Sequence, residues 1–171
     1  MAGAARHLLI SGPMGTGKST VGRLVADRLS LPFLDLDALV EADAGMSVAR
    51  IFSAEGEDAF RQREHRALAE ALSGPPSVIA LGGGTVVDAS NRHAARLHGR
   101  LVTLTASMET LHHRLAGDDT RPLLAGGVEA LADLVATRAV AYADADVVVA
   151  TDGLAPDDVA AMVAALWRDG A

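Results

Sequence analysis

Apolar and polar positions along the chain follow two periods by turns. Short apolar runs alternate with stretches in which apolar residues recur every three or four positions. That alternation is the pattern of strands joined by helices in a parallel α/β sheet. His7-Leu8-Leu9-Ile10-Ser11 predicts the first strand. Lys18–Leu29 predicts a helix with Val21, Leu24, Val25 and Leu29 on one face, and Phe33-Leu34-Asp35 a short second strand. Ala38–Ala44 reads as a helix stopped by Gly45, and Ser47 suits the cap of a short helix reaching Ile51 and Phe52. A longer helix runs from Glu55 or Glu57 to Leu72, where Gly74-Pro75-Pro76 breaks it. Val78–Leu81 predicts a buried third strand, Ser90–Leu97 a helix, Leu101–Thr105 a fourth strand and Ser107–Ala116 a helix. Val128–Val140 is helical, and Asp146–Ala150 is the fifth strand. Pro156 opens a last helix in which Val159, Met162, Val163 and Leu166 share a face. Right-handed crossovers between such strands give a doubly wound sheet. Residues 117–127, with Pro122 and three glycines, form a connection long for a compact domain, which suits a lid.

A chain of 171 residues without repeats fits a single domain, with its core over about residues 6–168. Aromatic residues are only 3%, so the core rests on Ala, Val, Leu and Ile. The absence of cysteine rules out disulfides and thiolate metal sites. No apolar run approaches the roughly 20 residues of a membrane span, and Met1–Leu9 shows no signal-peptide pattern. The net charge of −7 argues against nucleic acid or an anionic membrane as partner. Any positive field for an anionic ligand must therefore be local, built from a few placed cations.

The strongest chemical signal is Gly12-Pro13-Met14-Gly15-Thr16-Gly17-Lys18-Ser19, a G-x-x-x-x-G-K-S run between an apolar strand and an amphipathic helix. Gly12, Gly15 and Gly17 let backbone amides turn toward a phosphate, and the helix start, through Thr16 and Thr20, adds its positive dipole end. Lys18 suits the β- and γ-phosphates, and the Ser19 hydroxyl suits Mg²⁺. Asp35-Leu36-Asp37 lies at the carboxyl end of a strand, where ligands bind in open α/β sheets. Read as extended chain, the two carboxylates face one side. One suits Mg²⁺, directly or through water, and the other an attacking hydroxyl; alternatively, Asp37 caps the helix that follows. Phe60-Arg61-Gln62-Arg63-Glu64 lies within a helix, so Phe60 can enter the core while Arg61 faces a pocket. Gly82-Gly83-Gly84 after a buried strand permits close approach of backbone to a ligand. Thr120-Arg121-Pro122-Leu123-Leu124 puts an arginine on the lid segment, where it can meet transition-state charge. Arg138 and Tyr142, four apart, share a helical face. The six histidines show no metal-ligand spacing.

Taken in this order, the P-loop, Asp-x-Asp, Phe-Arg-x-x-Glu, Gly-Gly-Gly, Arg-Pro-Leu-Leu and Arg-x-x-x-Tyr set resembles shikimate kinase from the first strand to about Val149. The resemblance implies a three-layer P-loop kinase fold, with a five-stranded parallel sheet in the order 2-3-1-4-5, and a cytoplasmic, monomeric enzyme that uses ATP and Mg²⁺. It implies a substrate-binding region over about residues 37–64. Asp37 binds the shikimate hydroxyls as base, Arg61 and Arg138 clamp the carboxylate, and Gly82, Gly83 and Gly84 line the substrate pocket. Arg121 reaches the phosphates, Asp35 is associated with Mg²⁺, and Arg114 stacks on adenine. Two departures stand out: Ala80 where some members carry Ser, and Asp118-Asp119 beside Arg121. Other readings of the same residues are a gluconate kinase relative, since a sugar acid also carries a carboxylate, and a nucleotide-gated module without turnover.

Overall fold

The structure, a computed structural model, describes residues 7–116 and 127–169. Five parallel strands, β1 (His7–Ser11), β2 (Phe33–Asp35), β3 (Val78–Ala80), β4 (Gly99–Thr105) and β5 (Val147–Ala150), form one sheet in the order β2-β3-β1-β4-β5. The helices are α1 (Lys18–Leu29), α2 (Leu36–Ala44), α3 (Val48–Glu55), α4 (Glu57–Ser73), α5 (Ala89–His98), α6 (Met108–Leu115), α7 (Gly127–Ala143) and α8 (Pro156–Asp169).

The two-residue period of the strands sorts the core into two layers. Leu8, Ile10, Val78, Val102 and Leu104 face α1 and α8, whose Val21, Val25, Val159 and Val163 complete that side. Leu9, Ile79 and Leu101 face the other way, against Leu36, Leu68, Leu72, Ala95 and Tyr142. With both faces covered, β1, β3 and most of β4 are buried runs, as parallel sheets require, while β2 and β5 at the two edges are partly exposed. His7, fully buried, is satisfied by the Ser77 hydroxyl at 3.0 Å and the Leu72 carbonyl at 3.2 Å.

The strands match the sequence reading closely, but α2 begins at Leu36, two residues early. Its N-cap is Asp35, whose carboxylate accepts from the Ala38 amide at 3.3 Å. Asp37 is therefore a first-turn residue and not the cap, and helical turning, not strand alternation, sets its direction relative to Asp35. A 3-10 turn at Thr85–Val87 follows the triple glycine, an element that no periodicity announced.

Candidate active site

Carboxyl ends of parallel strands gather the chemistry. After β1 the chain runs through the glycine-rich loop with Gly12, Gly15 and Gly17 at φ 138°, 85° and 90°. Gly12 has a second constraint: a Cβ there would lie 2.2 Å from the Leu104 carbonyl oxygen, so no side chain fits against β4. The loop is braced by the Thr16 hydroxyl donating to the Pro13 carbonyl at 2.8 Å and by Lys18 Nζ donating to the same oxygen at 3.0 Å. A cleft of about 550 Å³ opens beside it, lined by Gly15 through Val21, Arg114 and the segment around Thr151–Pro156. Arg114 donates to the Gly15 carbonyl at 3.2 Å and to the Thr151 hydroxyl and carbonyl at 3.0 and 3.1 Å. This is a cradle for a polyphosphate with a wall for a flat ring.

Ser19, second residue of α1, donates its hydroxyl to Asp35 Oδ2 at 2.5 Å. The donor set here is all oxygen, as a hard cation prefers. Among the described residues no cluster of three or more His, Cys, Asp or Glu could hold a metal by itself. The fit is to Mg²⁺ shared with a bound polyphosphate, which keeps waters and few protein ligands.

The triple glycine is a floor on which four ionic side chains, Asp37, Glu64, Arg61 and Arg138, lie. A Cβ at Gly82 would sit 2.8 Å from both Asp37 Oδ1 and Glu64 Oε1. At Gly83 it would be 3.7 Å from the Arg138 guanidinium, 3.8 Å from the Met14 amide nitrogen and 3.9 Å from the Gly12 carbonyl. At Gly84 it would be 2.6 and 2.7 Å from the two terminal nitrogens of Arg61. None of the three glycines has positive φ, so room, not backbone freedom, is what they supply. Three consecutive residues span only about 7 Å from first Cα to last. Asp37 from α2, Arg61 from α4 and Arg138 from α7 thus converge beside the start of the phosphate loop.

Two carboxylates hold the Arg61 guanidinium in place. Glu64 is 1% exposed and takes Arg61 at 2.8 Å, while Glu57 takes it at 3.3 Å. Burial alone would pull the Arg61 guanidinium down, but Glu64 and Glu57 outweigh it and leave the group above its ordinary value. Burial pushes the Tyr142 hydroxyl up, against the opposing pull of Arg138 and Arg61. Tyr142 donates to the Gly83 carbonyl at 2.6 Å and so pins the floor. Two guanidinium groups on neighbouring glycines suit a carboxylate, and a carboxylate on the same floor suits a hydroxyl.

Most of the expected residues are brought together. Lys18, Ser19, Thr20 and Arg114 share the nucleotide-sized cleft; Asp37, Arg61, Arg138 and the glycines share the second site. Arg121 and the rest of the 117–126 stretch lie outside the described residues. Sequence reasoning did not assign Thr85, whose hydroxyl donates to Glu64 at 2.6 Å, or Asn91, which donates to the Thr85 carbonyl at 3.2 Å. Glu64 was legible as an i,i+3 partner for Arg61; Thr85 carried no local signal. A separate groove of about 350 Å³ between β2, α2 and α4 contains none of these groups.

The family model described as shikimate kinase matches residues 14–167. A shikimate kinase of Geobacter sulfurreducens is 45% identical over 166 residues, covering 96% of this chain and 92% of its own. Among solved structures, a shikimate kinase from Acinetobacter baumannii in complex with shikimate is 35% identical with a TM-score of 0.92, over 96% of this chain and 93% of the other. A gluconokinase from Sinorhizobium meliloti, 19% identical with a TM-score of 0.64 over 97% of this chain and 93% of the other, shares the fold alone.

Proposed function

The chain belongs to the shikimate kinase family, and on that premise we propose how its own residues divide the work. The reaction moves the γ-phosphoryl of ATP to the 3-hydroxyl of shikimate, giving shikimate 3-phosphate and ADP. The observation that carries the assignment of roles is the convergence of Asp37, Arg61 and Arg138 on the glycine floor beside the phosphate loop.

The phosphate loop holds the polyphosphate, with Lys18 turning from the Pro13 carbonyl to the β- and γ-oxygens. Arg114 and the Thr151–Pro156 segment flank the adenine end of the cleft. Ser19 would hold Mg²⁺, with Asp35, which accepts its hydroxyl, orienting it or joining directly or through water. The chemistry such an ion would supply here is neutralisation of polyphosphate charge. Arg61 and Arg138 fix the shikimate carboxylate, which orients the ring so that one hydroxyl meets Asp37. Asp37 accepts that hydroxyl's hydrogen bond and takes its proton as the oxygen bonds to phosphorus. Arg121, by its place in the Arg-Pro-Leu-Leu motif, meets charge on the transferring group. Most of the rate gain comes from holding the hydroxyl oxygen in line, since phosphoryl transfer asks little covalent chemistry of the protein. We propose further that the enzyme acts as a cytoplasmic monomer, which sedimentation and cell fractionation test; no helix among the described residues is long and apolar enough to cross a membrane.

The direct test incubates the purified protein with ATP, Mg²⁺ and shikimate, with gluconate as control. ADP release and a phosphorylated product are expected with shikimate alone. Nucleotide binding with no shikimate-dependent ADP, or equal turnover of gluconate, would overturn the assignment.

A further inference from the structure

The Arg61 side chain belongs to a closed ring of contacts that extends beyond the substrate-facing groups. Its guanidinium lies against Gly84 and donates to Glu64 Oε2 at 2.8 Å. The other carboxylate oxygen of Glu64, Oε1, accepts the Thr85 hydroxyl at 2.6 Å. Thr85 is the residue next to Gly84, which closes the ring. Glu64 and Thr85 are 1% and 0% exposed, so water has no access to replace the Thr85 donor. The 3-10 turn carrying Thr85 is itself pinned. Its amide donates to the Gly82 carbonyl at 3.1 Å, and its carbonyl accepts from Asn91, which in turn pairs with His65 of α4 at 2.6 Å. The turn is therefore tied to α4 at neighbouring residues, Glu64 and His65, one helical turn beyond Arg61.

We propose that Thr85 is a positioning residue for the substrate carboxylate, acting through Glu64 on Arg61. The inference rests on the reading of Arg61 as a carboxylate clamp and adds to it. A carboxylate with one donor can rotate about its terminal torsion; with a donor on each oxygen it cannot. The Thr85 hydroxyl thus fixes the plane in which Glu64 offers Oε2, and that plane fixes the Arg61 fork. The fork also donates to Glu57 at 3.3 Å, and its guanidinium lies against Gly84 of the glycine floor. Without the hydroxyl, a buried charged oxygen lacks a donor, and Glu64 and Arg61 reorganise together.

The test is a set of steady-state measurements on Thr85→Ser, Thr85→Ala, Thr85→Val, Arg61→Lys and the Thr85→Val/Arg61→Lys double variant. Loss of the hydroxyl in Thr85→Ala and Thr85→Val is expected to raise the shikimate KM about tenfold, the scale of one hydrogen bond to a charged group. The ATP KM should stay within about twofold, and Thr85→Ser, which keeps the donor, should lie close to the parent enzyme. In the Arg61→Lys background, Thr85→Val should add almost nothing, because both changes act on one clamp. If Thr85→Val fails to fold, the comparison of Ser with Ala reads the hydroxyl on its own. A parent-like shikimate KM in Thr85→Ala, a Ser variant as poor as Ala, an ATP KM raised equally, or full additivity with Arg61→Lys would each overturn the inference. An Arg61→Lys variant with unchanged shikimate KM would instead overturn the clamp reading, and this inference with it.

Discussion

Gly84→Ala isolates the steric part of the substrate site. Gly84 has φ −105° and ψ −4°, a conformation open to alanine, so the backbone gains no strain. The new methyl, however, would fall 2.6 Å from one Arg61 nitrogen, 2.7 Å from the other and 2.9 Å from the guanidinium carbon. Ordinary contact begins at 3.4 Å, so the guanidinium must retreat by about 0.8 Å. Arg61 holds Glu64 at 2.8 Å, and a retreat of that size taken along this contact carries it past hydrogen-bond range. What is lost is the geometry of a charge-assisted pair, roughly 1.5–3 kcal/mol. Expressed in shikimate binding, that is roughly a 10- to 150-fold rise in KM. The assay is coupled ADP release with shikimate varied at saturating ATP, then the reverse, alongside a thermal melt. The ATP KM should hold steady, because the methyl points at α4 and not at the phosphate loop. An unchanged shikimate KM would refute the claim that Gly84 exists to seat Arg61, and an equal rise in both constants would show a general collapse of the turn.

Asp37→Asn should lower kcat by about 10²- to 10⁴-fold while nucleotide affinity, followed by fluorescence titration, stays near the parent value; a loss under tenfold would count against a role in proton transfer. Arg121→Ala should lower kcat by about 10²-fold, near 3 kcal/mol of transition-state stabilisation, and unchanged turnover in a coupled assay would remove it from the phosphoryl site. Asp152, whose carboxylate accepts from Ser107 and Thr110, sits at about 2 and not at 3.8, chiefly through the Thr110 hydroxyl and then Ser107. A lowered folded value means stability that is complete above the unfolded value and lost as pH falls through the folded one. Urea midpoints for Asp152→Asn and the parent should therefore differ by a constant amount near neutrality and converge between about pH 4 and pH 2; a gap that widens on acidification would have the wrong sign.

The sheet was legible because five apolar runs and their intervening periodic stretches admit few right-handed arrangements. The phosphate loop was legible because its glycines, lysine and serine act within one local segment. The start of α2 was not, because Asp35 serves at once as strand end, helix cap and partner of Ser19, and period arguments cannot see a residue with three roles. In sequence the triple glycine signals close approach of the protein backbone to a ligand and, by resemblance, a lining of the substrate pocket. The structure shows room for Asp37, Arg61 and Arg138, three side chains separated by up to a hundred residues, whose steric demand no local window contains. Thr85 is the clearest omission. A threonine in a short turn has no period and no motif of its own, and its importance follows only from the burial of Glu64 on another element.

Arg114 ties the exposed mouth of the nucleotide cleft together. A single fork reaches from α6 to the phosphate loop at Gly15 and to the far wall at Thr151, in the manner of a cross-brace between two posts. A cleft braced in this way arrives already shaped, so a nucleotide entering it has little chain to organise on that side. The same brace means that the two walls cannot drift apart independently: whatever shifts the loop after β5 is felt at the phosphates through one planar side chain.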